Sequence, residues 1–138
     1  NDVVTSAGDK LGGLLSFTRD NCVVVGIGLN VSLTEDELPT STSTSLQLLG
    51  HDIDREVLIA AIVQQLMSAL AQDDWLDDYH RASATLGKKV RLQRINQADV
   101  EGIAAGFLAD GSISIETLEG IFSYSMGDVE HIRLAEQY

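Results

Sequence analysis

Residues 10–30 read KLGGLLSFTRDNCVVVGIGLN, and this stretch decides the fold of the first half of the chain. Two runs of aliphatic and β-branched residues predict β-strands over residues 11–18 and 22–32. Residues 18–21 between them are typical of a turn, so a hairpin is the natural connection. The continuous apolar run 23–25 predicts a strand that is covered on both faces, with the adjacent Cys22 as a buried thiol.

The hairpin is followed by a polar segment and then by two predicted helices. Residues 32–45 are rich in Ser and Thr and include the only proline, Pro39. A loop of this length is either a functional lid or a plain connection, and the residues alone leave both readings open. Helices are predicted over 54–71, with Asp54 as the N-cap, and through 75–84. The apolar face of the first helix is predicted to be core: Leu58, Ile62, Leu66, Ala69 and Leu70.

From Leu86 onward the pattern changes to short strands separated by glycine-containing turns. Strands are predicted over 90–95, 100–107, 113–115, 121–124 and 129–134, and Asp110-Gly111 is typical of a two-residue hairpin turn. Several short strands within about 50 residues indicate a small β-barrel. The predicted fold class is α+β, with a mixed part over residues 1–85 and an all-β module over 86–138.

Composition excludes several classes of protein. The net charge of −12 over 138 residues argues against a general nucleic-acid binder, because phosphate neutralisation needs clustered Lys and Arg. No apolar run approaches the roughly 18 residues that a membrane-spanning helix needs. One cysteine excludes an intramolecular disulfide. The N-terminus has neither a basic region nor an initiator Met, so we expect a cytoplasmic protein whose chain starts inside a longer gene product.

A glycine-rich motif, Gly26-Ile-Gly28-Leu-Asn30, lies at the end of the second predicted strand. A dinucleotide-binding fingerprint would need a third glycine and a following helix, whereas this chain has Val31 and a polar loop, which excludes a Rossmann site. The glycines would let a backbone or a ligand approach the strand closely. The amide of Asn30 could read a purine edge or cap the next turn, and spacing alone favours the cap.

Lys10 is the second candidate for chemistry, because a lone lysine beside Gly12 and Gly13 stands out in an acidic chain. A mobile cation next to unobstructed backbone can pair with a carboxylate or a phosphate, although an isolated lysine can also be simply solvated. The three histidines are scattered without metal-ligand spacing, so no metal site is predicted. The chain also lacks a P-loop and a nucleophile elbow.

The order of these motifs resembles the biotin protein ligase family over essentially the whole chain. Asn1-Asp2, Lys10-Leu-Gly-Gly-Leu-Leu and Gly26-Ile-Gly-Leu-Asn30 stand in the order of the family's Lys-Trp-Pro-Asn-Asp, Lys-Leu-(Ala/Gly)-Gly-Ile-Leu and Gly-x-Gly-x-Asn segments. In the family a mobile loop, a helical pair and an SH3-like barrel follow, and the glycine pattern up to Arg133 matches that barrel. The resemblance implies the C-terminal half of a class II synthetase-like biotin/lipoate ligase catalytic fold, followed by a small SH3-like β-barrel.

The resemblance also implies roles for individual residues. Lys10 would be the family's essential lysine, which contacts biotin and the α-phosphate of the acyl-adenylate, and residues 32–45 would be the loop that orders over the adenylate. The implied site is catalytic Lys10 and Asp2, biotin-binding Lys10, Gly12 and Gly13, and nucleotide-binding Asn1 and Asn30.

The implied reaction activates biotin with ATP and Mg²⁺ and transfers it to a lysine of a biotin carboxyl carrier protein. These 138 residues lack the Lys-Trp-Pro portion and the Gly-Arg-Gly-Arg-x-Gly-Arg segment with which the family binds biotin and phosphates. We therefore expect the missing N-terminal half of the ligase as a partner and expect this polypeptide alone to be inactive. A lipoate-type ligase and a non-catalytic interaction module of the same fold remain alternatives, and the barrel pattern favours biotin.

Overall fold

The computed structural model describes residues 1–72 and 74–131, and the chain forms two compact units, Asn1–Ala71 and Gln72–Tyr138. In the described residues both units contain strands and an α-helix, so the α+β class is confirmed. The first unit contains β1 (Asp2–Val4), β2 (Lys10–Arg19), β3 (Cys22–Leu29), a short 3-10 helix (Glu35–Glu37) and α1 (Arg55–Leu70). The second contains α2 (Trp75–Ala82), β4 (Lys89–Gln93), β5 (Val100–Phe107), β6 (Ile113–Thr117), β7 (Gly120–Tyr124) and β8 (Asp128–His131).

The first unit is built on an antiparallel sheet with strand order β1-β2-β3. The predicted hairpin is present, and β2 pairs with β3 from Gly12 opposite Leu29 to Arg19 opposite Cys22. Its two turn residues, Asp20 and Asn21, have φ of 48° and 62°. Two positive φ values are the mark of a tight hairpin turn whose twist matches the strands, and Asp and Asn tolerate that conformation.

The prediction that β3 is covered on both faces is wrong for the described chain. Val23, Val24 and Val25 are 68%, 42% and 43% exposed, and Cys22 is also exposed rather than buried. Successive side chains of a strand point to opposite faces, so an apolar run places aliphatic groups on both sides of the sheet. The described residues bury neither side.

The first helix forms where it was predicted and begins at the predicted N-cap. The Asp54 carboxylate accepts hydrogen bonds from the backbone N–H groups of Glu56 and Val57, which satisfies donors that a helix start leaves unpaired. The apolar stripe that was predicted to be core is not buried. Leu58 and Ile62 are half-buried, and Leu66 and Leu70 are exposed.

The second unit carries the hydrophobic core of the described chain. Its strands form an antiparallel sheet of order β7-β6-β5-β4-β8, and the core consists of Val90, Leu92, Ala104, Ile113 and Ile115. Among residues 74–131 no pairing between β7 and β8 closes this sheet into a barrel. Residues 132–134 of the last predicted strand, which include Arg133, lie outside the described residues.

The connection between β5 and β6 differs from the predicted two-residue turn. The N–H of Leu108 donates to the carbonyl of Ser112, which leaves residues 109–111 as a three-residue tip. Gly111 takes φ of 83°, and the Asp110 carboxylate accepts from the N–H of Ser112. Hairpin loops of three residues commonly end on a glycine in this left-handed region.

The helix α2 packs on β5 through aromatic contacts. The Tyr79 ring lies edge-on to Phe107 with 4.7 Å between ring centroids, and Trp75 contacts Tyr79 one turn earlier. The N–H of Phe107 donates to Nε2 of His80 at 3.0 Å. These contacts hold α2 against β5 within the compact unit Gln72–Tyr138, and the domain boundary expected between residues 85 and 86 stays a prediction.

Replacing His80 by Ala should destabilise the second unit by about 1–2 kcal/mol, because a part-buried N–H of Phe107 then loses its acceptor. The matched control is His51→Ala, which removes an exposed imidazole in the first unit. Chemical denaturation followed by circular dichroism measures both. Equal stability of the two variants would contradict this assignment.

Candidate functional site

An open pocket of about 430 Å³ lies on the sheet of the first unit. This volume is in the range of small-molecule sites. Gly13 pairs with Gly28, and Leu15 pairs with Gly26, so glycines of two neighbouring strands share one face. At these three glycines a ligand can lie against the backbone, and the Leu15 side chain stands on the same face. The lining residues are Asn1, Asp2, Lys10, Gly13, Leu14, Leu15, Gly26, Ile27 and Gly28.

The one cationic side chain among the described residues that line this pocket is Lys10, whose ammonium lies 2.7 Å from a carboxylate oxygen of Asp2. Their side chains are 48% and 45% exposed. An ion pair so open to water contributes only about 0–1 kcal/mol, so an anionic ligand could displace Asp2 from Lys10 at little cost. The ion pair keeps the Lys10 ammonium at the pocket, and the ammonium can still leave Asp2 for an anionic ligand.

Gly12 has a different role from its neighbour Gly13. It is buried, and a Cβ at this position would lie 2.2 Å from the carbonyl oxygen of Gly28 and 2.7 Å from the Leu29 side chain. Only glycine lets β2 and β3 approach this closely. The predicted biotin-binding residue Gly12 is therefore placed between the strands, beneath the pocket surface, whereas Gly13 is at the surface.

The long polar loop returns to the sheet directly beside Lys10. The N–H of Lys10 donates to the carbonyl of Thr42 at 2.8 Å, and its carbonyl accepts from the N–H of Thr44 at 2.9 Å. This makes a parallel bridge between Lys10 and Ser43 beyond the end of β3. We call residues 42–46 the return segment. Its central residues, 43–45, are buried, although they are polar.

Asn30 joins the end of β3 to the return segment. Its side-chain Nδ2 donates to the carbonyl of Thr44 at 2.9 Å, and its own carbonyl accepts from the N–H of Leu46. Its N–H donates to the carbonyl of Leu11 in β2. The side chain that could have read a purine edge is thus bonded within the protein.

The rest of the loop is also internally bonded. Both the N–H and the hydroxyl of Thr34 donate to the Glu37 carboxylate across the short 3-10 helix, and these bonds lower the pKa of Glu37 below its usual value. Further along, the hydroxyl of Ser45 donates to the carbonyl of Leu33 at 2.6 Å. The loop therefore has a defined conformation whose two ends meet beside Lys10.

The structure brings four of the six predicted site residues to one pocket: Asn1, Asp2, Lys10 and Gly13. It places Gly12 below the pocket and Asn30 at the return segment. The sequence predicted that Gly26 and Gly28 would let a backbone or a ligand approach closely, and both line the pocket, although neither was named among the site residues. Sequence reasoning missed the return segment, because a parallel pairing between distant residues leaves no local pattern.

Comparison with known proteins gives a consistent result. No protein-family profile matches the chain. The chain is 30% identical over 140 residues to a biotin–[acetyl-CoA-carboxylase] ligase of Mycobacterium tuberculosis, covering 96% of this chain and 52% of that protein. It thus spans about half the length of this curated relative.

Solved structures share the fold. A biotin protein ligase from Aquifex aeolicus superimposes with a TM-score of 0.81 at 22% identity, covering 96% of this chain and 63% of that one. The same ligase in complex with biotin and ATP gives a TM-score of 0.77 at 23% identity, covering 97% and 60%.

Alanine substitutions should distinguish Gly12, which the spacing of the strands requires, from Gly28, which lines the pocket. Gly12→Ala should destabilise the first unit by about 1–3 kcal/mol, because its methyl group overlaps the backbone of β3. Gly28→Ala should leave stability nearly unchanged, because a Cβ there meets nothing closer than 3.9 Å. Thermal unfolding by circular dichroism measures both, and a Gly12→Ala variant as stable as Gly28→Ala would refute the close approach.

Proposed function

The chain belongs to the biotin protein ligase family, and from that premise we propose that it supplies the lysine-bearing, nucleotide-facing part of an enzyme that attaches biotin to a protein. The observation that carries the proposal is the position of Lys10, whose ammonium lies at a pocket where Gly13, Gly26 and Gly28 leave the backbone accessible. The relatives supply the substrate class, because their names give biotin and, for one complex, ATP.

The pocket suits a flat, mostly apolar ligand that ends in an anion. Gly13, Gly26 and Gly28 leave room for a ring system against the sheet, while the Leu15 side chain, on the same face, offers an apolar contact. Lys10 lies at the same pocket and can attract a carboxylate or a phosphate. Biotin has this character, since a bicyclic ring carries an aliphatic chain with a terminal carboxylate.

The proposed reaction has two steps. A carboxylate oxygen of biotin attacks the α-phosphorus of ATP, the bond to the bridging oxygen breaks, and pyrophosphate leaves with the electron pair. A lysine amine of a biotin carboxyl carrier protein then attacks the acyl carbon, AMP leaves, and the amine loses a proton. Negative charge develops on phosphate oxygens in both steps, and the Lys10 ammonium would stabilise it.

Asp2 would hold Lys10 in place when the pocket is empty. The 2.7 Å ion pair keeps the ammonium at the pocket, and the exposure of both groups lets a phosphate replace the carboxylate. Gly12 and Gly13 would serve biotin binding in different ways, one by setting the strand spacing and the other by lining the pocket. Asn1, which also lines the pocket, is proposed to lie near the adenine, as is Asn30 from its family position.

Magnesium would arrive with the nucleotide. The described residues hold no group of three His, Cys, Asp or Glu side chains that could bind a metal ion. Mg²⁺ commonly keeps several waters and binds substrate phosphates rather than a protein cage. The phosphates of ATP would therefore carry the ion, and no role of this chain's residues depends on it.

We further propose that catalysis needs cations beyond those that line this pocket. Lys10 is the only cationic side chain among the lining residues, and together with Asp2 it would face an anionic adenylate. A second part of the ligase, of the arginine-rich kind seen in the family, would supply them. We also expect a cytoplasmic location, and no helix of the described chain is long and apolar enough to cross a membrane.

In an active ligase that contains this chain, Lys10→Ala should lower biotin-dependent adenylate formation by at least about 100-fold, the order expected for loss of one preorganised charge stabiliser. Folding should persist, because the salt bridge of Lys10 is exposed. Biotin-dependent exchange of pyrophosphate into ATP is the measurement. The matched control is Lys88→Ala, an exposed lysine of the second unit, which should leave the exchange intact. Near-normal exchange in Lys10→Ala would refute the assignment.

Residues 1–138 alone should give no biotin-dependent exchange of pyrophosphate into ATP, because the pocket has too few cations for the adenylate. The measurement is made on the purified chain beside the active ligase. Turnover by the isolated chain would show that Lys10 suffices.

A further inference from the structure

Ser45, in the return segment, is the most deeply buried polar residue of the described chain. It is fully buried, and its neighbours Ser43 and Thr44 are nearly so. A hydroxyl that water cannot reach must find its hydrogen-bond partners within the protein. The bonds of the Ser45 hydroxyl therefore show which parts of the chain it holds together.

The Ser45 hydroxyl makes two hydrogen bonds, one as a donor and one as an acceptor. It donates to the carbonyl of Leu33 at 2.6 Å, and it accepts from the backbone N–H of Leu48 at 3.2 Å. A hydroxyl has a single proton to donate, and this one is used within the protein. Because Ser45 is fully buried and does not line the pocket, its hydroxyl supports neighbouring backbone and does not contact a ligand.

The bond between Ser45 and Leu33 joins the two ends of the polar loop. We call residues 34–41, which lie between these ends, the outer loop. Among the described residues, the hydrogen bonds of the outer loop run only to other residues of the polar loop, as between Thr34 and Glu37 or between Thr40 and Ser43. The outer loop is therefore bonded to itself, whereas its base is bonded to the sheet.

The base of the loop also supports the backbone of Lys10. The N–H of Lys10 donates to the carbonyl of Thr42, and the carbonyl of Lys10 accepts from the N–H of Thr44. Ser45 directly follows Thr44, so the bonds that fix Ser45 also fix the residue that holds Lys10. Loss of the Ser45 hydroxyl would leave two backbone groups without a partner, and the return segment would open from the sheet more readily.

We propose that Ser45 is a positioning residue: its hydroxyl clamps the base of the polar loop, so that the return segment stays on the backbone of Lys10 while the outer loop changes conformation. Lys10 then keeps its place at the pocket in every conformation of the outer loop. The clamp stands on the described hydrogen bonds alone, and its effect on catalysis rests on the proposed function.

Amide hydrogen exchange of the full chain tests the clamp. Ser45→Ala removes the hydroxyl, whereas Ser45→Cys nearly keeps the size of the side chain and leaves only a weak donor and acceptor. In both variants the amides of Lys10, Thr44 and Leu46 should exchange faster by roughly a factor of ten, the effect of two hydrogen bonds, while the amides of the β2–β3 hairpin keep their rates. The matched control is Ser43→Ala, a buried serine whose hydroxyl bonds within the polar loop, and it should leave these amides protected. Unchanged exchange at Lys10 and Thr44 in Ser45→Cys would overturn the proposal.

Steady-state kinetics of the active ligase test the effect on catalysis. If Ser45 positions Lys10, Ser45→Cys should lower kcat for adenylate formation by about tenfold, because small misplacements of a reacting group are costly. The KM values for ATP and biotin should remain as in the unaltered enzyme. A raised KM with kcat unchanged would mean that Ser45 acts on ligand binding through the outer loop, and this result would overturn the proposal.

A double-mutant cycle decides whether Ser45 acts through Lys10. In a Lys10→Ala ligase, the added Ser45→Cys change should leave the residual exchange of pyrophosphate into ATP as it is, because no ammonium remains to be misplaced. A further loss as large as the one in the unaltered background would show an independent role and contradict the proposal. A ligase whose unaltered form lacks biotin-dependent exchange would refute the proposed function, and the amide exchange rates would still decide whether Ser45 clamps the loop.

Discussion

Lys10 is fixed through its backbone rather than through its side chain. Its N–H and carbonyl are both bonded to the return segment, and its strand neighbour on the other side is β1. The ammonium itself makes only an exposed ion pair with Asp2. Because the backbone is fixed and the side chain is not, the Lys10 ammonium can bind a ligand while its Cα stays in place. A preorganised electrostatic group requires this. The glycine face, the strand spacing set by Gly12 and the bonded loop all serve that arrangement.

Much of the local structure was predictable because it depends on short-range chemistry. The hairpin formed at Asp20 and Asn21, which tolerate positive φ, and α1 began at Asp54, whose carboxylate caps it. The second unit's strands also formed close to their predicted bounds, since alternation toward a single core is a strong signal. Motif order indicated the family to which the 30% identical relative belongs, and the solved ligase structures share the fold.

Burial and long-range pairing were not predictable in the same way. An apolar run shows a preference for burial but does not reveal which residues would cover it. Within the described chain Val23 is exposed, and the α1 stripe is half-buried at Leu58 and Ile62 and exposed toward Leu70. The tip at Gly111 has three residues because a bond between Leu108 and Ser112 defines the loop, which the dipeptide alone does not reveal. The return segment is a polar stretch that pairs with Lys10 in β2, about 30 residues earlier in the chain, and hydrophobic periodicity does not predict such a contact.

The central claim is that the Lys10 ammonium leaves Asp2 and binds the adenylate while the backbone of Lys10 stays in place. A crystal structure of the active ligase with biotinyl-5′-AMP tests it directly. The account predicts that Nζ of Lys10 lies within about 2.7–3.2 Å of an α-phosphate oxygen, while the backbone of Lys10 stays bonded to Thr42 and Thr44. An adenylate bound in the pocket with Lys10 still paired to Asp2 and away from the phosphate would contradict the account.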